Sequence, residues 1–400
     1  MSEWNLTRIE SLGKVITGKT PPTADKSFYN GHIPFVTPSD LGFDSYRVTN
    51  TETLLSEKVT ISYRNQILPK NAVMYTSIAS IGKIGISDTE VLTNQQINSI
   101  VVDEEKADYR FVYYLLKYIS PFCQAITGGV ATPIINKTTF EKVKVVAPDR
   151  STQIRIADIL SAYDDAIENN NRRIALLEKV ARELYREWFV RFRFPGHESA
   201  KFVNGLPAGW EVKRLKDYGQ IETGKTPPTE DKENYGDEIM FVKTPDMHNN
   251  IFVISTGEYL TKKGHLTQPK KLLPKNSIMV SCIGTGGIVA INEEQAHTNQ
   301  QINSILPDKK QYIEWLFFTC QSLKETIELF GATGTTMTNL SKGKFERLKV
   351  IQPSQSLIEA FHEKTKNSFI LIKMLMKKSQ NLARQRDLLL PRLMSGKLEV

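Results

Sequence analysis

The octapeptide TNQQINSI at Thr93–Ile100 returns unchanged at Thr298–Ile305, and the hexapeptide GKTPPT at Gly18–Thr23 returns at Gly224–Thr229. The same offset of 205 to 206 positions lays Trp4 on Trp210, Phe35-Val36 on Phe241-Val242 and Phe140-Glu141 on Phe345-Glu346. In a chain of 400 residues the repeat leaves nothing over. Solenoid units run roughly 20–50 residues, so this period describes one globular domain written twice. Four hundred residues would permit two or three domains, and the repeat decides for two. Two similar domains with pseudo-two-fold symmetry suit the reading of something that itself has two halves.

Residues 1–148 alternate short β-like runs, such as Ile33–Val36 and Ala72–Tyr75, with Gly, Pro and Asn punctuation, and hold a helix candidate at Arg110–Ile119. From Ser151 no Gly or Pro appears until Pro195. Apolar residues there fall on two columns seven apart: Leu160, Ile167, Ile174, Ala181 and Trp188, then Tyr163, Asn170, Leu177 and Leu184. These are coiled-coil a and d positions, and a helix over 151–193 would be on the order of 60 Å long. Residues 195–209 read as a linker, and 210–353 repeat the domain pattern. Ser356-x-x-Glu359 then opens a second Gly-free stretch to Pro391. Phe361, Leu375, Leu382 and Leu389 hold one column there, interrupted by Ser368, while Ile372 and Leu393 hold part of the other.

The predicted fold class is therefore mixed α/β (α+β). Two similar globular domains, 1–148 and 210–353, are separated by two long helices, 149–194 and 354–400, which pair as an antiparallel coiled coil. The competing arrangement packs each helix on its own domain, which a helix of that length would overhang.

Lys plus Arg exceed Asp plus Glu by 52 to 44, a net charge of +8 that favours an anionic partner. Cys123, Cys282 and Cys320 are odd in number and lack C-x-x-C spacing, which argues against a disulfide framework or a zinc site and for a reducing compartment. The N-terminus has no basic and apolar leader pattern, and no stretch reaches the roughly 18 apolar residues of a membrane span. A cytoplasmic protein without membrane contact is expected.

Catalysis needs convergent groups, and few are offered. The glycine cluster Gly284–Gly287 lacks the Lys-Ser/Thr of a phosphate loop and reads as a tight turn. Pro245-Asp246 starts like a nuclease carboxylate motif, but no Glu-x-Lys follows at useful spacing. His248, His265 and His297 have no histidine counterparts in the first half and read as scattered surface histidines. No amino-methyltransferase tetrapeptide occurs.

What does recur is polar, small and basic, the inventory that bonds phosphates and base edges. Residues that read sequence should differ between halves, so the identical Thr93–Ile100 segment is better explained as an internal hydrogen-bonded strand. GKTPPT stays open, since Lys19 and Lys225 could make phosphate contacts common to both halves. The candidate DNA-facing residues are Lys19, Thr20, Lys83, Thr132, Asn136 and Lys137 in the first half. In the second they are Lys225, Thr226, Lys243, Thr336, Asn339 and Lys342. The candidate pairing residues are Leu160, Tyr163, Ile167, Ile174, Leu177, Leu184 and Trp188 on the first helix, with Ile372, Leu375, Leu382 and Leu389 on the second.

This order of motifs resembles the specificity (S) subunits of type I restriction–modification systems over essentially the whole chain. Each half is similar to that family's target recognition domain. It has a Gly-x-Thr-Pro loop, an Asn-Gln segment (Asn94-Gln95, Asn299-Gln300) and a Gly/Thr-rich loop, at 128–137 and 331–340, before the closing strand. The helices resemble the family's conserved regions at Gln153–Leu160 and Leu388–Lys397. The second half departs from the pattern, reading Gln355–Phe361 where the first has Gln-x-x-Ile-Ala, so the two docking surfaces need not be equivalent.

The resemblance implies a non-catalytic reader of double-stranded DNA with no cofactor of its own. Each domain would read half of a split, asymmetric site, with the helix pair as a ruler for the unread spacer. Two modification subunits carrying S-adenosylmethionine would dock on it, and restriction subunits using ATP and Mg would join for cleavage. The reading from another class is a coiled-coil scaffold whose two globular ends bind proteins.

Overall fold

The computed structural model describes residues 4–127, 133–331 and 338–400, which divide into two compact units. Unit 1 comprises residues 1–169 and 379–400, and unit 2 residues 170–378. The division cuts across both long helices, so each unit takes a stretch of each helix into its own core.

Unit 1 is built on a five-stranded sheet of Gly13–Thr17 (β1), Arg47–Val48 (β2), Val73–Thr76 (β3), Ile84–Ser87 (β4) and Ile97–Val102 (β5), in the order β1-β5-β3-β4-β2. The central strands are buried on both faces, so they read as continuous apolar or small runs and not as alternation. Strand geometry still sorts their side chains by twos. Val73, Tyr75, Ile84, Ile86 and Ile100 face the helix Tyr109–Ala125, packing on Phe111, Val112 and Leu115. Met74 and Ile97 face the opposite layer with Val36, Leu41 and Leu68. A smaller sheet joins Thr53–Leu55, Tyr29–Val36 and Leu92–Thr93, and Asn5–Arg8 pairs with Lys144–Ala147.

Unit 2 repeats this plan. Gly219–Thr223 (β6), Phe252–Val253 (β7), Ile278–Ser281 (β8), Val289–Asn292 (β9) and Ile302–Pro307 (β10) stand in the order β6-β10-β8-β9-β7. Each matches its counterpart of unit 1 in position and direction. The closing pair is Glu211–Arg214 with Lys349–Gln352.

The long helices are Arg150–Tyr185 and Gln355–Met394. In unit 1 they pair antiparallel: Ile156, Ala157 and Leu160 share a cluster with Leu390, Leu393 and Met394, and Arg155 Nε donates to Val400 O at 3.0 Å. In unit 2 Ala181, Tyr185 and Trp188 share the core with Phe361, Phe369 and Ile372. Every predicted seam residue is buried or half-buried, including Tyr163, Ile167, Ile174, Leu177, Leu184, Leu375, Leu382 and Leu389.

Three expectations need correction. The first α-helix ends at Tyr185 and continues as a π-helix over Arg186–Val190, with Arg191 N bonded to Arg186 O five residues back. Tyr185, Trp188 and Phe189, at i, i+3 and i+4, share one face and gather around Phe361 at ring distances of 6.2, 6.1 and 5.1 Å, so Trp188 is a core residue of unit 2 as well as a seam residue. The helix expected at Arg110–Ile119 extends over Tyr109–Ala125, through Pro121. The second long helix, expected over 354–400, runs through Pro391 as expected but ends at Met394. Proline costs a helix one hydrogen bond and a clash, and here the flanking Leu390, Leu393 and Met394 are buried and hold the last turn in place.

Candidate nucleic-acid interface

In each unit the segments that carry the candidate residues converge at one end of the five-stranded sheet. The cause is topological: β1 and β3 both run antiparallel to β5, so their exits lie beside its entry. Gly18 N bonds Ile97 O at 3.2 Å, Lys19 N bonds Thr93 O at 2.8 Å, Ser77 N bonds Gln96 O at 2.8 Å, and Ile135 N bonds Ser77 O at 2.8 Å. These tie the GKTPPT loop, the TNQQ turn, the loop after β3 and the segment at 133–136 into one cluster. Unit 2 repeats it: Gly224 N to Ile302 O, Lys225 N to Thr298 O, Cys282 N to Gln301 O and Leu340 N to Cys282 O.

The identical octapeptide is the internal bracket of that cluster. Asn94 Nδ2 donates to Gln96 Oε1 at 3.0 Å while its Oδ1 accepts from Gln96 N, and Asn299 does the same with Gln301. Asn98 accepts from Thr17 Oγ1 at 2.6 Å and donates to Ile135 O at 3.2 Å; Asn303 accepts from Thr223 and donates to Leu340 O. Asn98 and Asn303 are buried, where an unmade amide bond would cost about 1–3 kcal/mol, so both copies need the same side chain. The glycine of GKTPPT has an equally local reason: a Cβ at Gly18 or Gly224 would stand 2.2 Å from the backbone and threonine oxygens of the turn.

Against this frame the predicted residues separate. Thr20 Oγ1 donates to Gln95 Oε1 at 2.7 Å and Thr226 Oγ1 to Gln300 Oε1 at 2.5 Å, so both threonines latch the loop to the turn. Lys19 and Lys225 are exposed beside those latches, and Lys19 Nζ stands 5.8 Å from the Tyr63 ring centre. Lys83 is held inward, its Nζ donating to Pro38 O at 2.8 Å. Lys243 follows the strand Ile239–Val242 that abuts the TNQQ turn; it pairs with Glu258 and lies over Phe241. Asn136 caps the helix Lys137–Lys142 by accepting from Thr139 N at 2.8 Å, so its carbonyl is spent on the fold. Lys137 and Lys342 occupy matching positions, each beside a glutamate one helical turn on, Glu141 at 3.6 Å and Glu346 at 3.9 Å. Asn339 is exposed on the short strand Thr338–Asn339. Thr132 and Thr336 lie outside the described residues.

Gln95 and Gln300, which are not among the predicted DNA-facing residues, are exposed at the centre of each cluster. With each carboxamide oxygen taken by threonine, what they offer a partner is the NH2 donor, which suits acceptors on phosphates and purine edges. The signal was present in the octapeptide, where this glutamine is the one exposed position in both copies.

Two of the three histidines also need correction, His248 being exposed as expected. His265 Nδ1 and His297 Nε2 lie 2.9 Å apart, and His297 is fully buried. Burial, and then the neighbouring His265, push His297 down to about 4, so it stays neutral. Among the described residues no group of three or more His, Cys, Asp or Glu is placed to hold a metal ion. The three cysteines are buried and free. No helix among the described residues is long and apolar enough to cross a membrane.

The family model described as "Type I restriction modification DNA specificity domain" matches residues 1–179 and again 207–373. The type I restriction enzyme MjaIX specificity subunit of Methanocaldococcus jannaschii is 28% identical over 410 residues, covering 100% of this chain and 94% of its own. The type I restriction enzyme HindI specificity subunit of Haemophilus influenzae is 34% identical over 324 residues, covering 65% of this chain and 71% of its own. Among solved structures, the S subunit of a type I restriction–modification system from M. genitalium superposes with a TM-score of 0.58 at 16% identity, over 98% of this chain and 96% of that one. That last likeness is one of fold.

Proposed function

Because the chain belongs to the family of type I restriction–modification DNA specificity domains, with one such domain in each half, we propose that its two loop clusters each read one half of a split, asymmetric DNA site. It is a specificity subunit, the non-catalytic component that supplies sequence choice. In our reading two modification subunits dock on it and bring S-adenosylmethionine for adenine methylation. Restriction subunits bring ATP and Mg for cleavage. This chain holds no cofactor itself and works in the cytoplasm. The long helices act as the ruler that fixes the unread spacer.

One observation carries the reading: the same hydrogen-bonded bracket is built twice, and each copy sets out exposed groups that can meet DNA. Lys19 and Lys225 supply charge for phosphates, Gln95 and Gln300 supply a donor, and the loops that join them in the cluster, 77–83 and 282–288, differ in sequence. A shared frame with differing surroundings is what two readers of unlike half-sites require.

The test is binding of the chain, assembled with its modification partner, to duplexes with and without the methylated motif over a salt series. Phosphate contacts predict that log Kd rises steeply and linearly with log salt, and that the motif binds more tightly at every concentration. Salt-independent binding, or no preference for any sequence, would favour a scaffold with protein-binding ends instead.

A further inference from the structure

Arg386, on the second long helix, is 1% exposed in unit 1 and bonded to three carboxylates. It donates to Asp164 of the first long helix, to Asp44 at 3.1 Å in the loop before β2, and to its neighbour Asp387 at 2.9 Å. Asp164 is equally buried and takes a second bond from Tyr114 Oη at 2.5 Å. Lys117 pairs with Asp44 and lies 3.5 Å from Asp387. Tyr114 and Lys117 belong to the helix Tyr109–Ala125, whose Tyr113 donates to Ser45 O at 2.9 Å. Three segments therefore meet on one guanidinium, both long helices and a loop at the edge of the sheet, and the domain's own helix joins the cluster through Tyr114 and Lys117.

The repeat makes unit 2 the internal control. The offset of 205 carries Arg386 back to Ala181, Asp164 to Phe369, Tyr114 to Thr319, Lys117 to Ser322 and Asp387 to Arg182. Ala181 and Phe369 are buried, and Phe369 meets Phe252, Phe317 and Phe318 edge-on at 6.1, 5.8 and 5.9 Å. The same junction is thus ionic in one unit, while in the other it is packed around Phe369 with one neutral hydrogen bond, between Tyr185 and Thr319 at 3.1 Å, and no buried charge on the positions of Arg386 and Asp164. A buried ion pair is weak evidence for stability, since packed apolar groups of similar volume do as well or better. Its particular capacity is geometric, because a planar guanidinium bonds carboxylates only along fixed directions, whereas apolar contact is non-directional.

We propose that Arg386 is a positioning residue: it fixes how the first recognition domain is seated on the helix pair, and through that seating the number of base pairs between the two half-sites. The proposal rests on the reading of the chain as a split-site specificity subunit.

The experiment assembles the chain with its modification partner and measures methylation of duplexes carrying the wild-type spacer, or one base pair more or fewer. The double variant D164L/R386M removes both buried charges and keeps the volume apolar. R386K keeps the charge and loses the fork. The expected result is that both variants methylate the same two half-sequences, while preference for the wild-type spacer falls by about tenfold in the double variant and by less in R386K. A general loss of rate with unchanged spacer preference would show a merely structural role and overturn the proposal. Should D164L/R386M fail to fold, R386K decides, and unchanged preference there overturns it equally. If the wild-type complex methylates no split site, it is the functional reading that fails and not the seating argument alone.

Discussion

Lys19 and Lys225 stand at matching positions, exposed, on loops that matching threonines latch to matching glutamines. If they contact phosphates, changing either to alanine weakens binding to all duplexes alike and lowers the salt slope by about one unit each. Affinity and slope unchanged in both variants would remove them from the interface. His297 gives a second prediction, on stability. Its folded pKa is depressed, so its neutral form contributes fully above about 6.5, and the contribution fades as pH falls toward 4, where the unfolded chain takes the proton first. The loss is on the order of 3 kcal/mol. Unfolding midpoints from pH 7.5 to 4.5 should fall less in H297Q than in the wild type, and parallel curves would contradict this. The repeated residues were legible in the sequence because both copies need the same buried amide bonds. The His265–His297 contact was not, since the partners are 32 positions apart and nothing in the first half mirrors them.

The heptad columns announced both helices, and a Gly-free and Pro-free run left little else for those residues to form. The sequence could not announce the π-helix at Arg186–Val190, because the buried residues Tyr185, Trp188 and Phe189 stand at i, i+3 and i+4, a spacing that an α-helix serves as well. Arg386 was hidden for a related reason: a charge in an apolar column reads as an interruption until its three carboxylates, two of them over 200 positions away, are in place. The ruler role makes its prediction at this scale. Ile174 and Ile372 pack on one cluster. Inserting one heptad between Ile174 and Ala181, and one between Ile372 and Ser379, keeps the seam in phase and adds roughly 10 Å of helix. That matches about three base pairs at roughly 3.4 Å each. Duplex twist and bending absorb part of the change, so the methylated site should keep both half-sequences and gain about one to three spacer pairs. Continued preference for the original spacer would show that the helices do not set it.

At the scale of the molecule, the duplication and the order of motifs made the family legible, while the loops that differ between halves, to which we assign the sequence choice, follow no shared pattern. A specificity subunit should be inert alone, so highly purified chain without partners is expected neither to methylate nor to cleave DNA. Turnover that copurifies with it through successive columns would contradict that. The central claim, two recognition domains each reading its own half-site, is tested most directly by methylome sequencing of cells carrying the chain with its modification partner. The comparison is between native residues 1–148 and the corresponding domain of another family member. The account predicts a split methylated motif, of which the exchange rewrites one half and leaves the other as it was. A continuous motif, or an exchange that alters both halves, would contradict it.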